Sequence, residues 1–163
     1  MDEKVTNRAC MNLLRQRMCR LFWKIAEERE EITVDGVPGY NEKAQFVGGK
    51  VINLCTYVAL NFAEDENERD KMLGELSGIV DMCAGMKMET WGILNGLTGL
   101  YRLKEAGVYR RVVSRETDET LKRIMDWHTF VDEEKDYALI HKPTNYYGVA
   151  FGIARFRELM GWD

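Results

Sequence analysis

Residues 89–103 read ETWGILNGLTGLYRL, an apolar helix pattern into which three glycines are set. Gly92, Gly96 and Gly99 lie on one face of such a helix, because they follow one another at steps of four and three residues. Each glycine costs a helix about 1 kcal/mol relative to alanine. We interpret this face as one that a neighbouring helix approaches closely; close approach of a bound ligand is the alternative.

The same order of elements occurs twice more. A charged helix pattern, a polar loop and an apolar helix with glycines also lead to residues 41–63 and 145–160. Two of the loops share a short phrase, which reads PGYN at residues 38–41 and PTNY at residues 143–146. A repeat of about 50 residues is typical of stacked αα-hairpins. We therefore predict an all-α protein with about six long helices in three antiparallel hairpins, in one domain over residues 1–163.

Apolar spacing and capping signals set the limits of these helices. The predicted helices cover residues 4–30, 41–63, 65–86, 88–105, 116–130 and 145–160, with a short helical turn at 108–113. Asp65 with Glu68 resembles a capping box, and Gly107 marks a stop. The second helix is apolar on most of its circumference, which predicts burial on more than one side. In the first helix the predicted stripe is Met11, Leu14, Met18, Leu21/Phe22 and Ile25, with Arg8, Arg15 and Arg20 mainly on other faces.

Composition narrows the class of protein. A net charge of -4 gives no basic footprint, so we predict no nucleic-acid partner. The longest apolar stretch, residues 51–62, is interrupted by Asn53, Thr56 and Asn61, so no membrane span is predicted. The N-terminus has no apolar signal region, and the expected location is cytoplasmic.

Neither a metal site nor a cofactor site is predicted. The four cysteines form no C-x-x-C pair and lie among apolar neighbours, which is typical of small buried residues in a reducing compartment. His128 and His141 have no partner at ligand spacing. No P-loop, dinucleotide fingerprint or Ser-His-Asp pattern is present.

Stacked hairpins bring the N-termini of the three inner helices to one rim, where free N–H groups favour anionic or hydroxyl-rich ligands. The rim residues are Tyr40, Asn41, Glu89, Thr90, Trp91, His141, Asn145, Tyr146 and Tyr147. Aromatic rings among amides and carboxylates suit a carbohydrate, with rings stacking on sugar faces and polar groups bonding hydroxyls. His141 and Glu89 are candidate general acids or bases. The alternatives are that Asn41 and Asn145 are simple helix caps and Trp91 a core residue.

Two stretches resemble inner helices of α/α-toroid carbohydrate-active proteins. They are ETWGILNGLTGLYRL, residues 89–103, and KPTNYYGVAFGIAR, residues 142–155. These include heparinase II/III-like lyases and unsaturated uronyl hydrolases. The resemblance covers three hairpins, whereas such toroids normally use about six, so the chain is either half of a toroid, with its C-terminal half missing, or a compact bundle.

The resemblance implies a carbohydrate-processing or carbohydrate-binding protein, lyase- or hydrolase-like, that acts on an oligosaccharide. In the lyases, Asn, Tyr, His and Arg act together on a uronic acid, and Asn145, Tyr146 or Tyr147, and His141 match these residue types. The implied catalytic residues are His141, Tyr146 and Glu89. The implied substrate-binding residues are Tyr40, Asn41, Trp91, Asn145 and Tyr147. The competing interpretations are a non-catalytic helical interaction module and a small-molecule enzyme with a helical cavity.

An open arc of three hairpins leaves apolar faces at both ends. The first helix carries Leu21, Phe22 and Trp23 in succession, and the last carries Phe151, Ile153, Phe156, Leu159 and Met160. Exposed patches of this kind mark interfaces. We therefore predict a two-fold dimer or docking onto the missing half. In the alternative, the terminal helices close a compact monomer.

Overall fold

The computed structural model describes residues 3–28, 33–34, 37–38, 42–85, 96–129 and 145–162. The helices in these ranges are α1 (Glu3–Glu28), α2 (Glu42–Asn61), α3 (Glu66–Ala84), α4 (Leu97–Glu105), α5 (Tyr109–Val112), α6 (Arg115–Thr129) and α7 (Asn145–Met160). Two strands of two residues each, β1 (Thr33–Val34) and β2 (Val37–Pro38), pair antiparallel between α1 and α2. The predicted all-α class is confirmed.

Helix limits agree with the prediction to within a few residues, and α7 begins and ends at the predicted positions. Asp65 caps α3 by accepting a hydrogen bond from Glu68 N at 2.8 Å. The Glu68 carboxylate in turn accepts from Glu64 N at 2.7 Å, so two end N–H groups are satisfied. Residues 88–95, the predicted start of the fourth helix, lie outside the described residues.

Gly107 ends α4, as predicted. Its φ of 75° lies in the left-handed region, which favours glycine. Gly107 N donates to the Lys104 carbonyl at 3.1 Å and Val108 N to the Leu103 carbonyl at 3.0 Å. This is the Schellman pattern, and the buried Val108 and Leu103 supply its apolar contact.

The most enclosed helix is α2, around which α1, α3 and α4 pack. Its buried residues face all three neighbours, which confirms burial on more than one side. They are Val51, Ile52, Cys55, Thr56, Val58 and Ala59. The helix α1 runs antiparallel to α2, because Cys19 lies against Cys55 while Phe22 lies near Gly48.

Glycines let α4 lie directly on α2. A Cβ added to Gly96 would be 3.0 Å from the Ile52 side chain, and one added to Gly99 would be 3.1 Å from the Ile52 carbonyl oxygen. The predicted close helix approach is therefore confirmed at both positions. The pairing also shows that α2 and α4 run parallel, since Gly96 meets Ile52 and Gly99 meets Thr56.

The other side of α4 is covered by α7. Phe156 is fully buried, with its ring edge-on to Tyr109 at 5.9 Å and to Trp162 at 5.5 Å between centroids. Ile153 is buried as well. The expectation that α7 leaves this apolar face exposed is wrong for Ile153 and Phe156, which are buried in the contact with α4. Phe156 and Phe22 belong to one core cluster, and Trp23 packs against that cluster.

On its other flank, α3 is joined to α5 and α6 by polar contacts. Ser77 Oγ donates to the Val112 carbonyl at 2.6 Å, and Thr117 Oγ1 donates to Asp81 Oδ1 at 2.6 Å. The described helices thus form one connected set, with α2 in contact with α1, α3 and α4, α4 with α7, and α3 with α5 and α6. The three-hairpin order and its half-toroid interpretation stay predictions.

The register of α1 differs from the predicted stripe. Arg15 is only 5% exposed, whereas Leu14 is 44% and Leu21 is 42% exposed. Positions 14 and 15 both fit the three- and four-residue spacing of the buried face. The sequence pattern therefore predicted burial of Leu14, the apolar residue of the two. Glu75 of α3 decides the outcome, because it pairs with the buried guanidinium. Cys10, expected to be buried, is also exposed.

Replacing Gly99 by alanine tests the α2–α4 contact. We expect a loss of stability of about 1–3 kcal/mol, because the added Cβ would lie 3.0 Å from both Asn53 Oδ1 and Thr56 Oγ1. Gly74→Ala is the matched control: that glycine is inside α3 with nothing near its Cβ position, so alanine should stabilise by about 0.5–1 kcal/mol. Urea unfolding measures the free energy of unfolding of both variants. A change of the same sign in the two variants would contradict the assigned contact.

Candidate functional site

The residues proposed for the rim fall mostly outside the described part of the chain. Tyr40, Asn41, Glu89, Trp91 and His141 lie outside the described residues. Asn145, Tyr146 and Tyr147 lie in the first turn of α7, which is described, but their side chains are not. The rim site therefore stays a prediction.

A groove of about 420 Å³ lies between the C-terminal half of α2 and the first turns of α4. Its lining mixes amide, hydroxyl, aromatic and guanidinium groups. The lining residues are Asn53, Thr56, Tyr57, Leu60, Asn61, Thr98, Gly99 and Arg102. None of these lining residues is among the site residues that the sequence predicts, although the spaced glycines, for which close approach of a ligand is the alternative interpretation, are a signal for this site.

The floor of the groove forms where Gly99 meets α2. Asn53 Oδ1 accepts a hydrogen bond from Gly99 N at 2.7 Å, which satisfies an N–H in the first turn of α4. Beside it, the Thr56 hydroxyl is buried and has no hydrogen-bond partner in the described structure. A buried hydroxyl without a partner costs about 1–3 kcal/mol relative to a bonded one.

The mouth of the groove carries its recognition groups. Tyr57 is 52% exposed and its ring stands edge-on to Phe62, with centroids 5.5 Å apart. The Asn61 amide N–H donates to the Tyr57 carbonyl at 2.9 Å, which leaves the amide oxygen without a partner among the described residues. These two side chains offer a flat apolar face beside a polar acceptor.

Arg102 supplies the charge at the mouth. Its guanidinium pairs with Glu105 at 3.4 Å within the same helix, and both side chains are substantially exposed. Exposed pairs of this kind contribute little, so a ligand anion can compete for the guanidinium. Among the lining residues there is no carboxylate, and Arg102 is the one charged side chain, so an anion is the ligand charge that the lining itself can pair.

The lining determines what the groove can do chemically. It contains no histidine, cysteine, aspartate or glutamate, and Tyr57 is the one lining side chain of a type that acts as a general acid or base, so the groove offers binding groups but no acid–base pair. Within the described ranges no group of three His, Cys, Asp or Glu side chains could hold a metal ion.

A buried tyrosine lies elsewhere, at the junction of α5 and α6. Tyr109 donates its hydroxyl proton to Asp118 Oδ1 at 2.6 Å, and Asp118 pairs with Arg110 at 3.2 Å. Burial, followed by the hydrogen bond to Asp118, raises the pKa of the Tyr109 hydroxyl far above its usual value. The neutral hydroxyl is therefore held as a structural donor.

In the described ranges, no helix has both the length and the apolar character required to cross a membrane. No model of a known protein family matches the chain, and comparisons with curated proteins and with solved structures likewise gave no match. The chemistry of the groove therefore carries the functional argument.

Thr56→Val tests the floor of the groove. Valine has the shape of threonine but no hydroxyl, so removing the unpaired group should raise the free energy of unfolding by about 1 kcal/mol. Thr117→Val is the matched control, because that buried hydroxyl donates to Asp81 and its loss should destabilise by about 1–3 kcal/mol. Thermal unfolding should give opposite signs for the two variants. Destabilisation by Thr56→Val would show that the hydroxyl has a partner.

Proposed function

We propose that this chain is a helical carbohydrate-binding protein that takes an acidic saccharide in the groove between α2 and α4. The observation that carries the proposal is the mouth of the groove, where the Arg102 guanidinium lies with a half-exposed Tyr57 ring and the Asn61 amide. The resemblance to proteins that act on uronic acids supports the same ligand class.

Each group at the mouth has a role in such a complex. The planar guanidinium matches a carboxylate and can bond it through two N–H groups, which gives both energy and orientation. The Tyr57 ring offers a surface for the apolar face of a sugar. The Asn61 amide oxygen can accept a bond from a sugar hydroxyl. The volume is at the lower end of ligand sites, so one or two sugar rings fit better than a long chain.

Processing of the sugar is a further step that the groove lining does not supply. A lyase- or hydrolase-like reaction requires a general acid or base. We assign that role to His141, Glu89 and Tyr146 of the predicted rim, with Tyr40, Asn41, Trp91, Asn145 and Tyr147 as its binding residues. Binding at the groove does not depend on this assignment.

Arg102→Gln tests the proposed binding. We expect uronic-acid oligomers to bind the unchanged protein, and the variant to bind them about 10- to 100-fold more weakly, because a charge-assisted bond is lost. Isothermal titration calorimetry measures these affinities, with a neutral glucose oligomer as the reference ligand. Its weak binding should be the same for the variant and the unchanged protein. Arg123→Gln, which removes an exposed arginine of α6 outside the groove, is the matched control. Equal affinity of the unchanged protein for acidic and neutral oligomers would contradict the proposal.

A specific observation favours the interaction-module alternative as a second candidate function. The outward face of α1 exposes Leu13, Leu14 and Leu21 at 52%, 44% and 42%. Arg17, Arg20 and Lys24 are exposed on the same face and pair with no carboxylate in the described part of the chain. Leucines interleaved with unpaired cations fit an acidic amphipathic helix of a partner protein.

Other occupants of this face fit less well. A second copy of the face would place cations against cations, which disfavours the predicted dimer at this surface. An interfacial membrane helix typically turns Trp and Phe to the lipid, whereas Phe22 is buried and Trp23 packs on the core. Self-association elsewhere, or docking onto a missing half, stays a prediction.

Two helical peptides test this face of α1. Both have the same leucine spacing, but one carries glutamates beside the leucines and the other carries lysines. We expect the glutamate peptide to bind about ten-fold or more tightly than the lysine peptide in fluorescence anisotropy, with a loss of affinity in high salt. The double variant Leu14→Ser, Leu21→Ser should weaken binding because apolar burial is lost. Equal binding of both peptides, or stronger binding to anionic vesicles, would refute the proposed partner.

A further inference from the structure

Two cysteines meet where α1 packs on α2. The Sγ atoms of Cys19 and Cys55 are 3.4 Å apart, although the residues are far apart in sequence. A disulfide requires a separation of about 2.05 Å, so the sulfurs need to approach by a small side-chain movement. The two thiols differ in access, since Cys55 is only 2% exposed whereas Cys19 is partly exposed.

A buried arginine lies beside this pair. Arg15 precedes Cys19 by one helical turn on the same face of α1. Its guanidinium donates two hydrogen bonds to Asn12 Oδ1, each 3.1 Å long, and pairs with Glu75 of α3. Among the described residues, the charged groups that face the thiols are therefore the Arg15 guanidinium of α1 and the Glu75 carboxylate of α3.

The pair is electrostatically asymmetric. A hydrogen bond from the Cys55 thiol, aided by the charge of Arg15, lowers the pKa of Cys19, while burial and Glu75 act in the opposite direction. The same hydrogen bond and burial raise the pKa of Cys55. Loss of one proton from the pair therefore makes loss of the second more difficult, and Cys19 is the more accessible of the two thiols.

We propose that Cys19 and Cys55 form a redox-active dithiol, in which Cys19 reacts with a hydroperoxide and Cys55 resolves the product to a disulfide between α1 and α2. The proposal rests on the contact between the sulfurs, the accessibility of one of them and the adjacent buried cation. It is independent of the saccharide groove.

The reaction takes place in two steps. The Cys19 thiolate attacks one peroxide oxygen, the O–O bond breaks, and the leaving hydroxide or alkoxide takes a proton from solvent to give water or an alcohol. Cys19 is then a sulfenic acid. The Cys55 sulfur attacks the Cys19 sulfur, the S–O bond breaks, and the hydroxide leaves as water with the Cys55 proton. The two thiols lose two electrons, and the hydroperoxide is the oxidant that gains them.

The other two cysteines serve as internal references. Cys83 is buried and lies against Gly48, so peroxide has little access to it. Cys10 is exposed on the outward face of α1 and has no second thiol beside it in the described structure. Cys10→Ser therefore removes a competing exposed thiol without touching the pair.

The full chain with Cys10→Ser is treated with one equivalent of hydrogen peroxide, alkylated and analysed by peptide mass spectrometry. We expect a disulfide-linked peptide pair that joins Cys19 to Cys55. Cys83 should not be oxidised and should be recovered in its alkylated form. In the Cys55→Ser variant a 1,3-diketone probe should trap a sulfenic acid on Cys19, and in the Cys19→Ser variant Cys55 should not be oxidised. Oxidation of Cys83 at the same rate as Cys19, or sulfinic acid on Cys19 without a disulfide, would overturn the proposal.

The role of Arg15 is tested by the pH dependence of Cys19 alkylation by iodoacetamide, which requires the thiolate. Arg15→Gln removes the cation, so the midpoint of the rate profile should move to higher pH and the rate at neutral pH should fall about ten-fold. Arg15→Lys should restore much of the rate. Because Arg15 is buried and its loss can unfold the chain, Glu75→Gln is the second variant: removal of the partly exposed carboxylate should move the midpoint to lower pH. Movement in the same direction for both charge removals would show that Arg15 does not activate Cys19.

Discussion

The structure depends on the close contact between α2 and α4, where Gly96 and Gly99 leave room for the Ile52 side chain and the Ile52 carbonyl of α2. This approach places Asn53 within reach of the Gly99 N–H, and it encloses α2 on a third side. The groove adjoins this contact, since Gly99 lines it together with Tyr57, Asn61 and Arg102. One close contact thus belongs to the buried core and borders the polar recess.

Much of the helical framework could be predicted from local signals. Asp65 with Glu68 and the left-handed Gly107 are signals of short range, since their partners lie within a few residues. The apolar circumference of α2 is also a short-range signal, and it predicted burial of this helix on more than one side. The orientation of α1 could not be predicted in this way, because Leu14 and Arg15 both fit the apolar spacing. The choice between them was made by Glu75, which lies on another helix.

The candidate sites illustrate the same limit. The groove joins Asn53 and Arg102, and the thiol pair joins Cys19 and Cys55, so each site exists only after distant helices pack. The sequence shows no short-range cysteine pair, so its pattern predicts that the cysteines are packing residues. The described structure supports that interpretation for Cys83, which is buried against Gly48. The rim around His141 and Glu89 stays a prediction from residue types and resemblance alone.

The position of α3 has a consequence for how the chain opens. Glu75 bonds to α1, whereas Ser77 and Asp81 bond to α5 and α6, so one helix satisfies polar groups from segments before and after it in the sequence. An array of hairpins that touched only their successive neighbours would open one hairpin at a time. Displacing α3 instead exposes a buried guanidinium and a buried threonine hydroxyl together. We therefore expect amide exchange in α1 and in α6 to share one opening event, the displacement of α3.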